Sequence, residues 1–408
     1  MKRGIFGVLV VVTASLVSAI ATPLASAAPA KGAPIRIGAV CICSGAQGGG
    51  NRSLEQFDKA WVKWTNAHGG INGHPVKLYF ADDAGDATKS ATIVREMIAK
   101  YKIQAIAGYF SSSADSWAAA AKKAGIPVIG SPNQSAAEYT NSTFFPTGMN
   151  HLTASYAVIN ASKTYNERRI GVLYCAETPV CGQVTGVFGG ISKLVGGGVE
   201  VVSSAKISGS APSYAAPCLA AKNESATSAI VVSGAAVVTR ALQGCAQQGW
   251  KPLLLSAGAG FGHNDASEVP GLRIALATGT LGVEDTSTPG GKLLHQIIDK
   301  YAPAIPKASS YNAGVSTVFA SLEMFAKAAK KAKLTPASKP SAVANGLYGL
   351  KDETLGGMIA PITYTRGNPT FPNCWFYSTY NGKTWRNNTK PQCLTGAKLA
   401  GLKKAGGL

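Results

Sequence analysis

The sequence predicts an α/β protein in two similarly built halves, and three observations predict it. Apolar runs of strand length alternate with helical spacings to about residue 130, and the same alternation then starts over. About 380 residues follow residue 27, more than one hydrophobic core usually serves. The loops that close the predicted strands are rich in Ser, Gly and Asn, which suits the ligand-facing edge of an open parallel sheet.

Taken in order, "IRIGAV" (35–40) is the first strand, and after a glycine loop Leu54, Phe57, Trp61 and Trp64 recur at helical spacing. "VKLYFAD" leads into a helix over 87–100, "IQAIAG" into one over 114–124, and "IPVIG" closes the first series. After a helix over 152–163, "RIGVLYC" leads into 182–195, "VEVVSSAKI" into 213–222, "SAIVVSG" into 235–248, and "PLLLSA" ends the second series. Both series describe parallel sheets flanked by helices. "GLRIALATGTLG", helices over 292–301 and 315–332, and a β-rich tail follow. In that tail Asn381-Gly382 marks a hairpin between "CWFYSTY" and "KTWR". The tail reads as a return to an earlier half.

Residues 1–27 have the form of a cleaved secretory signal: Lys2 and Arg3, an apolar stretch, then Ala25-Ser26-Ala27. No later stretch is long and apolar enough to span a bilayer, and neither Cys41 nor Cys43 follows a lipobox triplet, so no lipid anchor is expected. An exported chain with eight cysteines is expected to form disulfides. Proximity favours Cys175 with Cys181, Cys218 with Cys245, and Cys374 with Cys393, which leaves Cys41 and Cys43 for each other. That last ring needs a bend in the chain, because i and i+2 of a strand lie near the upper limit of disulfide spacing. Formal charge is +19, and loss of Lys2 and Arg3 leaves 19 − 2 = +17, a balance that attracts anionic polymers or acidic ligands through the summed field. The basic residues are scattered singly or in pairs, without interleaved aromatics, so nucleic acid is not an expected partner.

The stretch "CICSGAQGGGNR" (41–52) invites a phosphate-binding reading that fails. Asn51-Arg52 stand where a P-loop needs Lys and Ser or Thr, and Ser53 stands where the dinucleotide fingerprint needs its third glycine. The five histidines make no metal spacing, and no G-x-S-x-G elbow is present. C-x-C and C-x5-C are not the exposed C-x-x-C of a thiol oxidoreductase. An enzyme is therefore not expected, nor a cofactor or a metal. The strand-end loops offer amides and hydroxyls at helix N-termini, suited to a small carboxylate, and are short of charge.

At this point "NAHGGINGHPVKLYFADDAGDATKSA" and "IAGYFSSSADSWAAAAKKAGIPVIGSPNQSAAEYT" resemble the type I solute-binding proteins of ABC importers, particularly the branched-chain amino acid-binding (Leu/Ile/Val-binding-like) branch. The likeness runs from about 35 to 395. It implies the type I periplasmic-binding-protein fold: two doubly wound parallel-sheet lobes joined by three crossover strands. Lobe 1 would comprise 34–149 plus 283–357 and lobe 2 150–282 plus 358–400. The crossovers would fall near 147–150, 278–282 and 357–362. The implied function is capture of a small carboxylate-bearing or amino-acid-like solute for the membrane permease subunits of an ABC importer, by a monomer in the periplasm or cell envelope. A sensory subunit for a membrane receptor is the alternative, and a secreted thiol oxidoreductase the more remote one. Carried over by position, Ser111 and Ser135 would hold the ligand carboxylate, with Ser112, Gln134 and Gln47 beside them. The second lobe departs from the pattern. Ala236 and Gly258 stand where polar or acidic readers are expected and Cys181 where an aromatic is, so no carboxylate is placed to pair with an ammonium group.

Overall fold

The computed structural model describes Met1 and residues 29–176, 179–258 and 261–405, with backbone alone for 46–47 and 179–184. The expected signal segment lies outside them apart from Met1. Among the described residues no helix is long and apolar enough to cross a membrane.

The chain opens with β1 (Ile35–Cys41), a single turn α1 (Gly45–Gly48), α2 (Arg52–Ala67), β2 (Val76–Asp82) and α3 (Ala87–Ala99). It continues through β3 (Ala105–Ile106), α4 (Ala118–Lys123), β4 (Val128–Ile129), α5 (Ala137–Thr140) and β5 (Phe144–Phe145). These strands form one parallel sheet in the order β2-β1-β3-β4-β5. Helix starts are set locally: the Asp86 carboxylate accepts from the Lys89 amide at 2.7 Å and so caps α3. The Asn72 amide donates to the carbonyls of Ala329 (3.2 Å) and Leu334 (3.0 Å), which ties the "GGING" turn to a helix more than 250 residues away.

The second series is α6 (His151–Thr164), β6 (Arg169–Cys175), α7 (Pro179–Val195), β7 (Glu200–Ile207) and α8 (Ala215–Asn223). Then come β8 (Ser228–Val232), α9 (Ala235–Gln247), β9 (Leu253–Ala257) and β10 (Arg273–Thr278). The chain then builds α10 (Pro289–Tyr301), α11 (Ala313–Lys331) and α12 (Ser341–Tyr348) before β11 (Cys374–Tyr380), β12 (Trp385–Asn387), β13 (Gln392–Cys393) and α13 (Gly396–Ala405). β11 adds antiparallel to β10, giving the order β12-β11-β10-β9-β8-β6-β7 with β13 on β11. The tail therefore completes the second sheet, while α10 to α12 complete the first lobe.

The cores record this splicing. One buried cluster joins Phe57 and Trp61 of α2 to Val318, Phe319 and Phe325 of α11. The rings of Phe57 and Phe319 meet edge to face at 6.2 Å, and Trp61 Nε1 donates to Glu323 at 2.7 Å. Another cluster packs Tyr156 and Ile159 of α6 against Trp375 and Tyr377 of β11. Three segments connect the lobes side by side. Gly148 and Gly279 are so close that a Cβ on Gly279 would stand 2.6 Å from the Met149 amide, Leu281 N donates to Met358 O at 2.8 Å, and Tyr364 donates its phenol to Pro146 O at 2.8 Å.

Disulfides join Cys41 to Cys43 (Cα atoms 5.2 Å apart), Cys218 to Cys245 (5.0 Å) and Cys374 to Cys393 (4.0 Å). β1 ends at Cys41, which supplies the bend the first of these needs. Cys175 is also disulfide-bonded; its expected partner, Cys181, lies outside the described side chains. The Cys218–Cys245 bridge staples buried faces of α8 and α9. Replacing both by Ala should lower the unfolding free energy by about 3 kcal/mol in the chain-entropy account of such a loop. Urea titration of oxidised wild type against the double variant checks this, and an unchanged midpoint would count against it.

Candidate functional site

Both sheets end, at the carboxyl side of their strands, in loops that face each other across the crossovers. Ser111 follows β3 and is fully buried. Its hydroxyl donates to Asp83 Oδ2 at 2.5 Å and accepts from the Ser113 amide at 3.1 Å. Asp83 in turn accepts from the Gly85 amide at 2.8 Å, so Ser111 locks the loop after β3 to the loop after β2. The amides of Ser111 and Ser112 and the exposed Ser112 hydroxyl are donors of this loop that no described hydrogen bond engages.

The loop after β4 is organised around a carboxylate of the chain itself. Glu138, fully buried, accepts from the Ser131 hydroxyl (2.7 Å) and from the amides of Asn133 (3.1 Å), Gln134 (3.0 Å) and Ser135 (3.1 Å). Burial outweighs those donors and raises its pKa from 4.5 to about 7. The Ser135 hydroxyl donates to Asp115 Oδ1 at 2.7 Å and accepts from the Ala137 amide at 3.2 Å. Asp115 also accepts from the Ala137 amide at 2.9 Å, which fixes the start of α5. Both serine hydroxyls thus donate to carboxylates of the chain itself.

Beyond the crossovers the lobes also meet around Gly258 and around the loop that follows it. Gly258, buried and with φ +64°, lies against Asn133; a Cβ there would stand 2.9 Å from Asn133 Nδ2. The following loop docks onto lobe 1 just before α11. His263 N donates to Tyr311 O at 2.9 Å, and Asn264 Nδ2 donates to Ala308 O (2.7 Å) and Pro306 O (3.2 Å). The Gly262 Cα faces the Ser309 carbonyl so closely that a Cβ would collide with it. The His263 ring lies between Glu284 and Trp385, 4.1 Å from the latter ring centre. Burial holds its pKa down to about 4. The lobe 1 segment this loop docks on stands beside the end of the 41–52 stretch, since Asn312 donates to Gly50 O at 2.6 Å and Ser310 shares a 2.5 Å hydrogen bond with Ser53. A separate cavity of about 220 Å³, lined among others by Thr147, Gly148, Gly279 and Phe371, touches all three crossovers and none of these loops.

Ser111, Ser112, Gln134 and Ser135 share the lobe 1 edge, with Gln134 exposed beside the amides that Glu138 binds. Ala236 is exposed in the first turn of α9, and Gly258 makes the contact just described. The side chains of Gln47 and Cys181 lie outside the described residues. Asp83, Asp115, Glu138 and the 261–264 loop are what sequence reasoning missed. The expectation that these loops are short of charge is corrected at the lobe 1 edge, where Asp83, Asp115 and Glu138 accept hydrogen bonds from the loop backbones. Asp83 and Asp115 stand in the two stretches that carry the family resemblance, but nothing local ties them to the serines. Among the described residues no three His, Cys, Asp or Glu side chains gather to hold a metal.

The family model described as periplasmic binding protein matches residues 34–384. No curated protein matches the chain. Similar solved structures include a branched-chain amino acid ABC transporter protein from Thermus thermophilus with bound valine. It has 14% identity and a TM-score of 0.75, covering 91% of this chain and 99% of that one. The solute binding protein of an ABC transporter from R. palustris in complex with benzoate has 14% identity and a TM-score of 0.67, covering 90% and 98%. LivJ from Streptococcus pneumoniae in complex with isoleucine has 16% identity and a TM-score of 0.67, covering 89% and 100%.

Proposed function

The chain belongs to the periplasmic binding proteins and has their type I fold, and from that premise we propose that it is the extracytoplasmic solute-binding component of an ABC importer. In this reading an exported, monomeric chain captures a small carboxylate-bearing or amino-acid-like solute between lobes bounded at 34–149 plus 283–357 and 150–282 plus 358–400. It then presents the solute to membrane permease subunits.

The observation that carries the carboxylate is the set of unengaged donors at the lobe 1 edge, the Ser111 and Ser112 amides and the Ser112 hydroxyl. Amides at a strand-to-helix turn suit a small anion. Ser111 and Ser135 hold these loops in place through Asp83 and Asp115. Valine, isoleucine and benzoate, the ligands of the similar structures, share a carboxylate, and benzoate has no ammonium group. Ala236 and Gly258 supply no carboxylate to pair with an ammonium group, which favours solutes of the benzoate kind over α-amino acids.

A thermal-shift screen of aliphatic and aromatic carboxylates, their primary amides and their α-amino counterparts tests this. A carboxylate at 100 times its Kd should add about 2.7 kcal/mol, its amide should add far less, and Ser112→Ala should weaken binding by about 1 to 3 kcal/mol. Stabilisation by the amides and not by the acids would overturn the reading.

A further inference from the structure

The chain carries 39 Lys and Arg against 20 Asp and Glu, and the cleft uses none of that excess. At the amino-terminal edge of the second sheet two basic residues are ion-paired, Arg169 with Glu200 and Arg273 with Glu167. The same edge of the first sheet is different. Arg36 of β1 and Lys77 of β2 are register partners. Arg36 Nε donates to Lys102 O at 3.2 Å, which sets Lys102 beside it just ahead of β3. Lys122 and Lys123 end α4, just ahead of β4. Because the strands run β2-β1-β3-β4, these positions form a row across the sheet edge. At about 4.8 Å per strand the row is roughly 15 Å long. Its lysines are exposed and Arg36 is half-buried.

A second basic rank lies behind this row. Lys330 and Lys331 end α11, and exposed Lys333 and Lys339 follow. Gln104 fixes the two ranks together: it accepts from the Arg36 amide at 3.2 Å and donates to Thr335 O (2.9 Å) and Ser338 O (2.8 Å). The acid on the neighbouring α3, Glu96, is already paired with Lys100 at 2.9 Å. Like charges held this close raise the local potential and attract counter-ions from solution.

We propose that this edge is a docking surface for an extended linear polyanion, a chain in which phosphate groups recur every few ångström. A row of single charges one strand apart matches recurring charges along one chain. The surface lies at the opposite end of the strands from the cleft, so an occupant leaves solute entry free. A lipid surface fits less well. The exposed large apolar side chains among the described residues are Met1, Tyr165, Val187 and Leu219, none of them in either rank, whereas helices that bind bilayer surfaces insert apolar residues.

The test uses the full mature chain and inorganic polyphosphate as the probe. Binding should weaken with salt along a log–log slope of about −3, as for four to five released counter-ions. Changing Lys77, Lys102, Lys122 and Lys123 together to Gln should weaken it at least about 100-fold, because each lysine near an anionic surface contributes roughly a factor of five. Changing Lys193, Lys206, Lys222 and Lys251 to Gln removes the same charge from lobe 2 and should weaken binding less than about threefold. Equal losses in the two variants would mean net charge alone is responsible, and would overturn the assignment. So would absence of binding at 50 mM salt, or phosphatidylglycerol vesicles bound through the same four lysines as tightly as polyphosphate. Matching melting temperatures of the two variants keep a folding defect from being read as lost binding.

Discussion

Gly262→Ala should hold the two lobes apart. The added methyl meets the Ser309 carbonyl oxygen of the other lobe, and that oxygen belongs to backbone that packs beside Tyr311 and α11. Gly262 is outside the left-handed region of backbone space, so alanine adds no strain of its own where the lobes are separated. The Ser309 clash falls on the docked state, whereas the other close neighbour, Asp265 Oδ2 at 2.9 Å, is the end of a side chain in the same loop and can turn aside. Overpacking of this kind costs about 1 to 3 kcal/mol, which predicts solute affinity reduced roughly 5- to 150-fold. The melting temperature without solute should barely change. Asn264→Ala, which removes two hydrogen bonds to the same segment, should act in the same direction by about 1 kcal/mol. Small-angle scattering at saturating solute should show wild type more compact than Gly262→Ala. A variant that binds and compacts like wild type would show that this contact is not part of the closed state.

Glu138→Ala should be the most destabilising of the single changes considered, by about 3 to 5 kcal/mol, because three amides and a hydroxyl lose a buried acceptor together. Glu138→Gln separates shape from charge. The folded pKa of about 7 lies above the ordinary 4.5, so the folded protein binds this proton more tightly than the unfolded chain. The resulting stability is fully present below pH 4.5 and is lost as pH rises through about 7. Over that window the loss amounts to about 3 kcal/mol. Urea unfolding at pH 4.5 and pH 8.5 should therefore show a wild-type advantage over Glu138→Gln that shrinks by that order toward alkaline pH. Identical pH slopes in the two proteins would refute the buried-acid account.

The fold was legible where periodicity is strong. The α2 stripe of Leu54, Phe57 and Trp61 and the apolar runs of β1, β6, β8 and β9 each declare their element. The assignments blurred where an element is nearly all context. β3, β4 and β5 are two residues each, too short for any period, and exist because neighbouring strands pair with them. α5, α12 and α13 had no expectation at all. At the candidate site the serines could be read from position, but the direction of their hydroxyls could not. Ser135 finds Asp115 20 residues back and Ser111 finds Asp83 28 residues back, across different strands. Glu138, in the first turn of α5, reads locally as a helix-start acid and gives no hint that the preceding loop folds around it. The docking of 261–264 on 306–311 joins two loops with no pattern in either.

The splicing of the first lobe also governs when it can form. A chain emerging amino-terminus first presents α2 about 250 residues before Phe319 and Phe325, the partners that cover its apolar face. β10 likewise waits nearly 100 residues for β11. Contacts of such sequence separation close late and slow the search for the native state. That delay leaves the nascent first lobe without a complete core to collapse onto until most of the polypeptide has been made.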